Sequence, residues 1–125
     1  MQSMIPRERV CEVCGRPYPE KHHIVFRKQG GLDFELNFKY LCVDHHRGKD
    51  SPHMNRRIDL QYKYQMQKRL FSIFVGYDYS IQEISMALNC KQEDIERRFK
   101  AAQPNPRGYY ESETVVRVLM GGKLY

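Results

Sequence analysis

No stretch of this chain approaches the roughly 18 consecutive apolar residues of a membrane-spanning helix, so none is expected. The N-terminal segment MQSMIPRERV has no apolar run of the signal-peptide kind, and the expected location is cytoplasmic. Internal repeats and low-complexity tracts are also missing. Cysteine is confined to Cys11, Cys14, Cys42 and Cys90. In a reducing compartment these serve as metal ligands or buried thiols rather than disulfides.

What is present is a globular composition in 125 residues, 41% hydrophobic and 29% charged, with a polar mean hydropathy of -0.72. That length allows one domain, or a small domain with an appendage. A core of such limited size gains from a staple, and small domains often use a metal for it. Lys and Arg number 21 against 15 Asp and Glu, giving +6 and a pI near 9.2. The balance suits a polyanionic partner without requiring one.

Texture changes along the chain. Residues 6–48 are rich in Cys, His, Gly and Pro, with short strand material at Val10, Tyr18, Ile24 and Phe26 and turns at CGRPYP and KQGG. From about residue 55 to 75 neither Gly nor Pro occurs, and Ile58, Tyr62, Met66, Leu70 and Phe74 recur every fourth residue. This spacing predicts an amphipathic helix packed on a core, with Lys63, Lys68 and Arg69 on its other face. Gly76 is expected to end it, Ser80 to cap a second helix IQEISMALN, and QEDIERRFKAA and SETVVRVLM to form two more. The fold class read from this is α+β, divided into domains 1–76 and 77–125, the latter helical and helix-turn-helix-like in texture.

CEVC at 11–14 and CVDH at 42–45 are two metal-binding knuckles. Their pairing in one short chain fits a tetrahedral structural zinc held by Cys11, Cys14, Cys42 and His45. Gly15 suits the tight turn of the first knuckle. A redox cysteine pair is the alternative for CEVC alone. His45 and His46 are adjacent, as are His22 and His23. Neighbouring strand residues point to opposite faces, so one of the latter pair can bind a metal while the other meets substrate.

Taken together, Cys11, Cys14, His22, His23, Ile24, Gly30, Gly31, Asn37, Leu41, Cys42 and His46 resemble the HNH endonucleases, also called ββα-metal or His-Me finger nucleases. The similarity covers roughly the first 55 residues, with a looser likeness of the C-terminal segment to HNH-type proteins of bacteriophages and prophages. It departs from the family at His45, where a fourth zinc cysteine is usual, and at His22, where an aspartate often stands. The resemblance implies a zinc-stapled ββα-metal finger followed by a mostly helical half. It implies a metal-dependent DNA endonuclease in which His23 is the general base on water, and His22 and His46 hold the catalytic metal. Asn37 would orient the backbone or ring of His23. Imidazole in place of aspartate favours manganese, nickel, cobalt or zinc over magnesium at that site.

His53 stands open between a further metal ligand, a phosphate contact and a surface residue. Arg47, Lys49, Arg56, Arg57 and Lys63 are the expected nucleic-acid contacts, with DNA as partner and no membrane; a phage or host protein partner and the oligomeric state stay open. Arg97, Arg98 and Lys100 could lie on DNA if the C-terminal helices read it, and plain scaffolding is the alternative. The competing function is a catalytically inactive, zinc-stapled DNA-binding or regulatory protein, or an adaptor built on the same finger. Such proteins need only the four zinc ligands and a basic face.

Overall fold

Strand β1, Glu20–His23, emerges from the proline-flanked turn after the first knuckle and pairs antiparallel with β2, Phe38–Leu41. This is seen in a computed structural model that describes residues 9–125; the start of the expected 1–76 domain lies outside them. The register sets Glu20 opposite Leu41 and His22 opposite Lys39, so Glu20 and His22 share one face and His23 takes the other. Strand material is shorter than the sequence suggests. Val10 makes only an isolated bridge to Pro17, Tyr18 sits exposed at φ 57°, and Phe26 caps a 3-10 turn.

That turn, Arg27–Gln29, leads into Gly30 and Gly31, where the chain folds back on itself. A Cβ at Gly31 would lie 1.8 Å from the Val25 carbonyl oxygen, so only glycine fits. Asn37 is fully buried beside it. Its Oδ1 accepts from the Val25 N–H at 2.7 Å, and its Nδ2 donates to the Leu32 carbonyl at 2.8 Å. The side chain therefore braces the loop after β1, and its hydrogen bonds go to Val25 and Leu32 rather than to His23, a correction to the expected contact. Asn37 is the last residue of a 3-10 turn, Glu35–Asn37, directly before β2, a position from which its side chain bonds the loop.

Helix α1, Val43–Arg47, packs against both strands and is stopped at Gly48. Helix α2, Arg56–Ile73, is capped by Asn55, whose Oδ1 accepts from Arg57 and Ile58. It is shorter than the periodicity predicts, because Phe74 already leaves helical geometry two residues before Gly76. Met66, Leu70 and Phe74 are buried and Ile58 and Tyr62 half-buried, as the stripe requires. Lys63 is not on a solvated basic face. It is 1% exposed, with Nζ 2.5 Å from the buried Asp59 carboxylate, and so is corrected from a nucleic-acid contact to a buried ion pair.

Three short helices complete the chain: α3 Ile81–Leu88, α4 Gln92–Arg98 and α5 Ser112–Leu119. Ser80 and Glu83 form a reciprocal capping box on α3. Asn89 takes the left-handed turn that glycine usually occupies, at φ 53°. Helix α4 ends at Arg98, short of the predicted segment. The core joins Val25 and Phe34 to Leu70 and Phe74 of the α2 segment and to Ile84, Ile95, Val115 and Leu119, so it draws on both sides of Gly76. The architecture is α+β: a two-stranded sheet and five helices among the described residues. None of those helices is long and apolar enough to cross a membrane.

Candidate functional site

The first knuckle is a tight turn in which the Gly15 N–H donates to the Cys11 carbonyl and Gly15 sits at φ 82°, the left-handed geometry expected of it. Glu12 ties this turn to β2, through its N–H to the Tyr40 carbonyl and its carboxylate to the Tyr40 N–H. Cys42 begins α1 and His45 lies one turn later, so the second knuckle needs only the helical rise. Sulfur and nitrogen then converge: Cys14 Sγ to Cys42 Sγ is 3.8 Å, Cys42 Sγ to His45 Nδ1 3.3 Å, and Cys11 Sγ to His45 Nδ1 3.6 Å. A tetrahedral zinc with arms of about 2.3 Å to sulfur has S–S edges of about 3.8 Å. The four side chains could thus hold a metal such as zinc.

Burial disfavours the Cys11 thiolate, but backbone hydrogen bonds around Cys42, Cys14 and Val13 outweigh it and bring the thiol down to about 6. A thiolate is the form that binds metal. Arg16, two residues after the first knuckle, and Asp44 of the second pair at 2.8 Å and link the two segments.

A second cluster takes its residue from the next position of α1, His46. His22, His46 and His53 each offer one ring nitrogen, all within 4.8 Å of one another, and could hold a metal ion. His22 is 1% exposed and its Nε2 has no hydrogen-bond partner. A buried polar atom left so is costly unless something unseen satisfies it. Burial first, and then the neighbouring His53 and His46, push the His22 ring down to about 3, so it stays neutral with a lone pair to give.

His46 Nε2 and His53 Nε2 stand 3.2 Å apart, close to the roughly 3.3–3.4 Å edges of a tetrahedral ion with arms of about 2.0–2.1 Å to nitrogen. Burial also lowers His53. His53 reaches the cluster because the loop 48–55 is fixed by Ser51, whose carbonyl takes the Asn55 N–H at 2.8 Å, and because its ring stacks on Phe26 at 5.1 Å. The His53 left open by the sequence therefore falls beside His22 and His46.

Glu20 was not singled out in the sequence, yet its Oε1 is 2.6 Å from His46 Nδ1. That bond holds the Glu20 carboxyl below its ordinary range and turns His46 Nε2 toward the cluster. The signal was available, since Glu20 lies two residues before His22 on the same strand face.

His23 faces the other way, half-buried, with its ring edge-on to Phe38 and Nε2 2.7 Å from Asp33 Oδ1. Arg27 donates to both oxygens of Asp33, at 3.2 and 3.0 Å. Asp33 had no local sequence signal. Of the basic residues expected near the site, Arg47, Lys49, Arg56 and Arg57 are exposed, and Arg47 donates to Glu20 at 3.1 Å. On α4, Glu93 and Asp94 occupy the first turn and Arg97 pairs with Asp94, so this helix does not present an unbroken basic face.

Comparison of the chain with known protein families, curated proteins and solved structures gave no match.

Proposed function

We propose that the protein is a metal-dependent DNA endonuclease built on a zinc-stapled ββα finger, with one cluster structural and the other catalytic. The observation that carries this reading is the unpartnered Nε2 of buried His22, joined by His46 and His53 and backed on the next strand position by His23. A finger needing only structural zinc gives none of these four histidines a task.

A divalent cation held by His22, His46 and His53 would supply Lewis acidity to the scissile phosphate. The chain's own groups do the rest. His23 accepts a proton from water through Nδ1, the ring nitrogen not engaged by Asp33. The water oxygen forms the new P–O bond in line with the ester P–O bond that breaks, and the departing alkoxide takes a proton from solvent. Exposed Arg47, Lys49, Arg56 and Arg57 offer phosphate contacts that carry no sequence information. The all-imidazole donor set supports manganese, nickel, cobalt or zinc rather than magnesium.

The test is cleavage of supercoiled plasmid with EDTA, magnesium, manganese, nickel or cobalt, with His23→Ala alongside. Conversion of plasmid by wild type alone supports the reading. Plasmid binding without cleavage in every metal would replace it with a DNA-binding regulator.

A further inference from the structure

The loop after β1 returns to His23 by a route that is fixed at two points just before Asp33. The Gly31 N–H donates to the Phe26 carbonyl at 2.9 Å, the Asn37 amide holds the Leu32 carbonyl at 2.8 Å, and the next residue is Asp33. The carboxylate so delivered accepts three contacts, one from His23 Nε2 at 2.7 Å and two from the Arg27 guanidinium. An ionised carboxylate can only accept, so a neutral His23 ring must carry its hydrogen on Nε2.

We propose that Asp33 is the positioning residue of His23: it fixes the imidazole as the Nε2–H tautomer and leaves the Nδ1 lone pair for the attacking water. This deepens the nuclease reading and rests on it for the water. It also gives Asn37 an indirect part, through the loop that carries Asp33 rather than through the ring. Arg27 makes the arrangement directional. Its donors require oxygen acceptors, so an asparagine at 33 would turn its carbonyl to Arg27 and its NH2 to His23 Nε2. The ring hydrogen would then move to Nδ1, the wrong nitrogen. In an enzyme whose base histidine is oriented by an aspartate, the same Asp-to-Asn change lowers kcat by about 10⁴-fold through the wrong tautomer.

The experiment uses the purified, zinc-loaded full chain labelled with ¹⁵N-histidine, at a pH where the His23 ring is neutral. Long-range ¹H–¹⁵N correlation reads which ring nitrogen carries the hydrogen in wild type, Asp33→Asn and Asp33→Ala. Plasmid cleavage is measured in parallel, with circular dichroism and zinc content to verify folding. The expected wild-type ring has its hydrogen on Nε2, and Asp33→Asn reverses it. Asp33→Asn should lose roughly 10²–10⁴-fold in kcat with KM little changed, and Asp33→Ala, which imposes no tautomer, should lose less.

An unchanged tautomer in Asp33→Asn with active wild type overturns the role of Asp33 and leaves the nuclease reading standing. A reversed tautomer with no cleavage by wild type overturns the nuclease reading and keeps Asp33 as the residue that sets the His23 ring.

Discussion

Glu20 and His46 meet where β1 passes α1, carboxylate oxygen to ring Nδ1 at 2.6 Å, and this bond decides which nitrogen His46 can offer to a metal. Removing such an outer partner typically costs 10–100-fold in metal affinity. Glu20→Gln should therefore weaken cobalt binding at the histidine cluster by about that factor while leaving the four-ligand cluster loaded. Spectroscopic cobalt titration after zinc loading would measure it; unchanged affinity would mean that the bond does not tune the ligand.

Cys42 and His23 should behave in opposite ways when removed. Structural zinc supplies folding free energy, so Cys42→Ala should leave the chain unfolded or zinc-free. His23→Ala should stay folded and zinc-loaded and lose cleavage. Circular dichroism and metal analysis of the two variants make the comparison. Equal misfolding would remove the basis for treating the clusters as separate.

Acid should destabilise the fold, and the sign follows from the groups involved. His22 has its folded pKa pushed below the ordinary histidine value of about 6.5, to about 3, by burial, so the unfolded chain binds its proton first as pH falls. Glu20, through His46, and Asp33, through His23, are likewise lowered in the folded state. Stability from His22 is fully present above about pH 6.5 and drains away down to about pH 3, at up to about 1.4 kcal/mol per pH unit. Urea unfolding between pH 7 and 4, with one equivalent of zinc in the four-ligand cluster and no metal added for the histidine cluster, should show that slope, and His22→Asn should flatten it.

Lys63 and Asp59 form a pair that neither partner can leave without harm. Asp59→Ala would strand a lysine that is 1% exposed, at a cost of about 3–5 kcal/mol. The double replacement Asp59→Leu with Lys63→Met should be far closer to wild type than the single change, because no buried charge remains. Chemical denaturation of the single and double variants gives the coupling directly.

Much of this was open to reading in the chain itself. The Cys-x2-Cys and Cys-x2-His spacings name four residues that the fold brings together, because each knuckle is local and needs one hairpin to meet the other. The fourfold stripe through Met66, Leu70 and Phe74 places α2 on the core, and Ser80 with Glu83 marks the start of α3. Its charge and its place off the apolar stripe put Lys63 on a solvated face, although Asp59 four residues earlier is the spacing of a helical ion pair. His53 and Asp33 depend on the paths of two loops, one stacked on Phe26 and one folded under Gly31. No periodicity encodes such paths. Asn37 was marked out by the family resemblance, while its partners follow from that same loop.

The five residues of α1 are too few to be a helix on their own account, yet they carry His45 into one cluster and His46 into the other. Any ion seated in either cluster would order the peptide that presents a ligand to its neighbour. Occupancy would then be reciprocal: each ion would raise the affinity of the second by the same factor, and stripping one would loosen both.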